Sequence, residues 1–372
     1  MLVSAAVAAG CQFPYPGDVP VDAADAPAVD APDAAIDAMP VDAPPTTLGA
    51  FSAAGTLVAG RMDAASLVVG GRLYIVGGTA CSACAAVTRD GAGITTSVES
   101  ASVSAAGPGA FALAGDLVRA RAGAVAFRVT RGSADWLYVV GGYGGTTPTF
   151  PVEIERAAIA TDGTIGAFAD VAGVTLDQGR AHALVVVTGD SVQLVGGWLG
   201  GSTYTTSVTR ASITATGDLS SFAPVSGVNL SSARGRMTLV SDGAVTLVAG
   251  GHGSTNAPVT TVERATVASG AVSGFATAPA LATARAGATS LALGGRAWVL
   301  GGGNVATGAA LDTIETAQLS PAGPFVLNSR RLDQPRILAA GALLPAHICV
   351  VGGSTNAAVA GILDSVACAP LQ

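Results

Sequence analysis

The sequence predicts an all-β protein: a six-bladed β-propeller of four-stranded antiparallel blades, closed by a strand from the N-terminal end of the folded region. Three observations carry that prediction. Six apolar segments end in a glycine doublet at near-regular spacing, an arginine stands at a set distance ahead of each doublet, and the last repeat lacks a fourth strand that appears instead ahead of the first repeat. Composition agrees with buried strands, because 50 glycines and a charged fraction of 12% leave few stretches suited to a surface helix.

The doublets are LYIVGG (73–78), LYVVGG (137–142), VQLVGG (192–197), TLVAGG (246–251), AWVLGG (297–302) and ICVVGG (348–353). Their second glycines are separated by 64, 55, 54, 51 and 51 residues. Arg61, Arg180, Arg234, Arg285 and Arg336 each stand sixteen residues before the first glycine, and Arg121 stands twenty before, the extra length being supplied by the polar turn at 130–135. Downstream of each doublet runs a strand-like stretch with a recurring alanine: VESASV, IERAAI, VTRASI, VERATV, IETAQL and VACAPL. A turn and a phenylalanine follow in five repeats, at Phe111, Phe168, Phe222, Phe275 and Phe325. Each repeat thus reads as four short strands, with a Gly-rich turn between the first two and the doublet ending the second. Glycine at the doublets is expected to permit positive φ and close backbone approach near the crowded axis.

These features resemble the kelch repeat, in which a hydrophobic strand ending in Gly-Gly is followed by a third strand and an aromatic residue opens the fourth. The resemblance covers residues 48 to 371. It departs from the kelch pattern where Phe replaces the usual Trp, and where the Tyr before the doublet survives only as Tyr74 and Tyr138. Membership implies a propeller whose fourth-to-first and second-to-third strand loops share one face.

The array closes on itself. The last repeat stops after its third strand, while Leu48-Gly-Ala-Phe51 ahead of the first arginine supplies a fourth strand with its phenylalanine. Pairing these ends gives six blades and leaves no open sheet edge, and the chain is expected to be a monomer. The apolar run at 337–351 is too short for a membrane span and matches the first two strands of the sixth repeat.

Ahead of the folded region, residues 1–11 end in Ala9-Gly10-Cys11. This resembles the end of a bacterial lipoprotein signal, which implies lipidation at Cys11 and, with Gln12 following, an outer-membrane anchor. Residues 12–47 form an Asp/Ala/Pro linker with seven acids, eight prolines and no cation, a composition expected to stay disordered and act as a tether. The formal charge of -7 belongs to this leader, since the eighteen carboxylates of 48–372 balance the eighteen arginines and the chain has no lysine. A neutral domain gives no footprint for nucleic acid, and the absence of lysine removes Schiff-base and P-loop chemistry.

No HExxH, Cys/His cluster, calcium loop or GxSxG elbow occurs, so no metal, cofactor or catalytic residue is assigned. The only histidines, His182, His252 and His347, fall at different places in different repeats. Were the chain an envelope enzyme acting on carbohydrate, His252 in the loop after the fourth doublet would be the first residue to test. A binding or scaffold role recognising a protein, peptide or glycan is favoured. Tyr143 and Trp198 directly follow their doublets, and Tyr204 and His252 lie nearby in equivalent loops; large, stiff aromatic groups in variable loops suit recognition. The six arginines have two readings: a ring of guanidinium forks for an anionic ligand, or a structural device bonding loop carbonyls and carboxylates. Recurrence in every blade favours the structural one. Four cysteines beyond Cys11 are expected to pair as Cys81–Cys84 in the first long loop and Cys349–Cys368 across the last blade.

Overall fold

The computed structural model describes residues 47–81, 93–145, 149–268, 270–356 and 361–372. Six antiparallel sheets are arranged as a six-bladed β-propeller. In the first blade, Ala65–Val69, Arg72–Val76, Ser97–Ser104 and Ala112–Asp116 pair in that order. The next four blades repeat the order, and the second is the longest, built on Ala122–Arg131 and Ala134–Tyr143. The apolar run at 337–351 forms two strands of the sixth blade, Ala340–Leu343 and His347–Val351. No helix among the described residues is long and apolar enough to cross a membrane.

The predicted closure is present. Ser52–Thr56 pairs antiparallel with Ser365–Pro370, bringing Ser52 opposite Cys368 and Thr56 opposite Ser365. Leu48 bridges Leu371, and Thr47 and Gln372 exchange backbone hydrogen bonds of 3.0 and 2.9 Å. Cys349 and Cys368, directly opposed on the second and third strands of this blade, form the predicted disulfide. Cys84, the partner expected for Cys81, and Cys11 lie outside the described residues.

Neighbouring blades meet near the axis through their first strands. The doublet strands therefore stand one step further out than the sequence suggested, yet their glycines make the closest approach between blades. All twelve doublet glycines have positive φ. A Cβ on the first glycine of each pair would lie 2.3–3.0 Å from the carbonyl oxygen of the next blade's arginine. That same oxygen accepts the N–H of the second glycine, from Gly78 to Arg121 and so on round to Gly353 and Arg61, at 2.7–2.9 Å. Glycine is required twice over at these positions, by conformation and by space.

The cores between blades are apolar and mostly aliphatic. Leu, Val and Ile of facing strands pack with the phenylalanine that opens each fourth strand. Phe51, Phe111, Phe168, Phe222 and Phe325 are buried, and Phe275 is half-buried. The outer strands are largely exposed and mix small and polar residues with a few exposed apolar ones, Leu113, Val326 and Leu327.

Candidate functional site

Strand order places the loops preceding each first strand beside the residues that follow each doublet. The pairings are Met62 with Thr79, Ala122 with Tyr143, Ala181 with Trp198, Gly235 with His252, Ala286 with Gly303 and Ile337 with Ser354. One face of the propeller therefore carries six equivalent positions after the doublets. Three consecutive blades place Tyr143, Trp198 and His252 there, and the other three place Gly303, Ser354 and Thr79. The face is divided into an aromatic half and a small-residue half.

In the aromatic half, the rings of Tyr143 and Trp198 meet edge to face with centroids 5.4 Å apart. Phe150 and His182 complete the cluster, Phe150 at 5.0 Å edge-on to Trp198 and His182 stacked on Trp198 at 6.1 Å. The indole Nε1 of Trp198 donates to Gly201 O at 2.8 Å, holding the ring in place. Tyr143 is buried whereas Trp198 and Phe150 are half-buried, so these two rings are the members that a ligand can reach. Tyr204, paired with Trp198 in the same blade, lies edge-on to His252 of the next blade at 5.4 Å, with its hydroxyl 3.3 Å from His252 Nδ1 and 3.4 Å from Asn256 Oδ1. Four of the residues singled out in the sequence thus lie in adjacent blades on one face.

Inside this rim, a second set of equivalent positions lies two residues after each arginine: Asp63, Gly123, His182, Arg236, Gly287 and Leu338. All six have φ between 52 and 61°. Each N–H donates to the carbonyl of its counterpart in a neighbouring blade, at 2.8–3.3 Å, and the sixth bond returns to the first. The result is a closed circle of peptide groups about the axis. Left-handed backbone is costly for a branched residue such as Leu338 and is held here by that circle. Asp63 and Arg236 bring charge to it and His182 an imidazole, with Asp63 3.7 Å from His182 Nδ1 and 3.5 Å from Arg236. The cavity they line measures about 60 Å³. That is room for a few waters, well below the several hundred Å³ of a small-molecule site.

The six repeated arginines are 0–2% exposed. Each donates through Nη1 to the carbonyl of the first doublet glycine of its own blade, at 2.6–3.3 Å. Each also meets a carboxylate. Arg61, Arg121, Arg234 and Arg285 take Glu99, Glu155, Glu263 and Glu315 from the third strand, whereas Arg180 and Arg336 take Asp177 and Asp333 from three residues upstream. Burial pushes the guanidinium groups of Arg61, Arg121, Arg180, Arg234 and Arg285 below their ordinary value, and the carboxylates oppose that shift. The glutamates also hold backbone, for Glu99, Glu155, Glu263 and Glu315 accept the N–H of Val58, Val118, Ser231 and Ala282, each three residues before its arginine, at 2.7–2.8 Å. These bonds pin the loop linking two blades to the interior of the second. Arginine heads engaged in this way face protein acceptors and not the channel mouth.

Sequence reasoning missed this carboxylate set, although its signal is present. A glutamate stands two residues before the recurring alanine in four repeats, and the two repeats that lack it, with Thr209 and Ala367 there, are the two that read Asp-Gln-Xaa-Arg. It also missed the leucine four residues before every arginine, Leu57, Leu117, Leu176, Leu230, Leu281 and Leu332, each buried. Phe150 and His182 were not assigned to the aromatic cluster, because Phe150 stands at no repeated position and His182 stands at one where the other five repeats carry no aromatic ring.

No family model matches the chain, and no curated protein matches it. Among solved structures it is similar to "Structure of YjhT", with a TM-score of 0.65 over 84% of this chain and 95% of that one. Identity is 12%, so the likeness is one of fold.

Proposed function

We propose that the chain is a diverged kelch-type propeller working as an extracytoplasmic binding module, tethered to a membrane through Cys11 and the acidic linker. Its ligand, a peptide or glycan, is received on the aromatic half of the face bearing the post-doublet loops. The grouping of Tyr143, Trp198, Tyr204 and His252 in three consecutive blades carries this reading. A half-buried indole fixed by its own hydrogen bond offers apolar area at little entropic cost, and the Tyr204 hydroxyl with Asn256 offers directional polar groups beside it. The disulfide across the sixth blade fits an oxidising compartment. An enzyme reading would centre on His252 or on His182 with Asp63, but His252 is buried and the cavity beside His182 is far smaller than a small-molecule site.

The test is a glycan and peptide array probed with the wild-type chain, then repeated with Trp198→Ala and Tyr204→Ala. Binding lost in both variants at an unchanged melting temperature supports the assignment. A ligand bound equally well by both variants would place recognition elsewhere. For the tether, Cys11→Ala should move the protein from the membrane to the soluble fraction, and unchanged fractionation would remove the anchor from the proposal.

A further inference from the structure

On the opposite face, the first four blades pass a second-strand side chain to the turn between the third and fourth strands of the next blade. Tyr74 donates to Gly163 O at 2.6 Å, Tyr138 donates to Gly217 O at 2.8 Å, and Gln193 Oε1 accepts Val272 N at 3.3 Å. In the fourth blade, Leu247 packs in one cluster with Leu319 of the following turn. The fifth blade differs. Its corresponding residue is Trp298, and the turn it should meet does not exist, because the sixth blade takes its third and fourth strands from opposite ends of the folded region. Equivalent bridges show what is missing: Ile159 pairs with Ile165 and Ile213 with Leu219 across five-residue turns, whereas Leu371 pairs with Leu48 across a break.

The break leaves a groove of about 660 Å³, lined among others by Trp298, Arg296, Arg330, Gln318, Thr47 and Gln372. Among the described residues no acidic side chain lines it, and neither Arg296 nor Arg330 has an ion-pair partner, although the adjacent Arg331 pairs with Asp312. Thr47, which lines this groove, is preceded in the sequence by Asp42-Ala-Pro-Pro-Thr46, the last part of a leader with seven aspartates and no cation. Five residues reach at most about 17 Å, so the Asp42 carboxylate is confined to the neighbourhood of the groove.

We propose that the seam groove is the docking site of the segment immediately preceding Thr47, which takes the place of the absent turn and presents Asp42 to Arg296 and Arg330. Three observations favour this occupant over an external one: its attachment point lines the groove, its charge is opposite to that of the two arginines, and the equivalent position in the blades before it is filled by the chain itself. Because the segment is covalently held beside its site, even weak pairing is effective. Docking would fasten the closing strand from its outer end, so a pull on the leader would be resisted before it reached Ser52–Thr56.

The test uses the full chain and a protease that cuts before aspartate. Asp22, far along the leader, serves as the internal reference for Asp42. In wild type, cleavage at Asp42 should be slower than at Asp22 by roughly fivefold, the scale of two partly exposed ion pairs. Raising salt should remove the difference in the wild-type chain, and Arg296→Gln/Arg330→Gln should remove it at low salt; Arg296 is half-buried and Arg330 exposed, so the fold should survive, with thermal unfolding as the check. Equal cleavage at both sites in wild type at low salt would overturn the proposal. Protection that persisted in high salt and in the arginine variant would overturn it too, since proximity to the fold alone would then account for it. Protection appearing only at high protein concentration would show that the groove takes another copy's leader, and would overturn docking within one chain.

Discussion

The exchange of glutamate for aspartate beside the repeated arginines can be tested by moving one blade to the other arrangement. In the third blade, Asp177 pairs with Arg180 at 3.2 Å, the guanidinium being 1% and the carboxylate 18% exposed. Asp177→Ala leaves Arg180 with Gly196 O at 3.3 Å and Ser207 Oγ at 3.2 Å and no counter-charge. Breaking a buried pair from one side costs about 3–5 kcal/mol, and the partial exposure of Asp177 puts this case near the lower end, about 3 kcal/mol. That corresponds to roughly a 150-fold shift toward the unfolded state. Thr209 occupies the register position held by glutamate in four other blades; its side chain is fully buried and its hydroxyl lacks a hydrogen-bond partner. Adding Thr209→Glu to Asp177→Ala should therefore restore stability to within about 1 kcal/mol of wild type, because the new carboxylate would meet Arg180 as Glu155 meets Arg121. Thr209→Glu alone should destabilise, since two carboxylates would then share one cation. Guanidinium unfolding followed by far-ultraviolet circular dichroism and tryptophan fluorescence measures all four corners of the cycle. A double variant no more stable than Asp177→Ala would refute the equivalence of the two arrangements.

Other consequences are direct. Removing residues 48–57 takes away Phe51 and the strand paired with Ser365–Pro370, and should leave an aggregating protein; a monodisperse product with unchanged melting would contradict the closure. Gly250→Ala puts a Cβ at φ +64° and 2.3 Å from Arg285 O, and should cost more than about 2 kcal/mol by chemical denaturation; a loss under half that would show the interface can yield there. Cys349→Ala/Cys368→Ala opens a link between residues 19 apart and should lower stability by about 3 kcal/mol, and a midpoint identical to wild type would mean that the strand pairing suffices without it.

The architecture was legible because its determinants recur. A doublet in which the first glycine must clear the next blade's carbonyl and the second must donate to it admits no other residue, so six copies survive where the rest of the repeat drifts. The position three residues before each doublet shows how a change of residue conceals a shared role: Gln193 bonds the next blade's turn as Tyr74 and Tyr138 do, though nothing in its sequence context announces it. The carboxylate partners were harder to see because they reach the same atoms from two directions, and only register alignment of the third strands shows Thr209 and Ala367 standing where glutamate stands elsewhere. The circle at Asp63, Gly123, His182, Arg236, Gly287 and Leu338 left little trace, since it is made by peptide groups, and the left-handed backbone that favours glycine at two of its positions is held by four other residue types at the rest. Tyr143, Trp198, Tyr204 and His252 could be singled out by position after the doublets, but their mutual contacts depend on the rotation between blades, which sequence does not specify.

Each repeated arginine grips its own sheet with its side chain and the preceding sheet with its carbonyl. In an open stack of repeats, end units can fray while the middle holds, and melting spreads over a range of conditions. Here no unit is terminal, and letting go of one loosens the neighbours on both sides together. The domain should accordingly unravel all at once, with the weakest blade setting the limit for the other five.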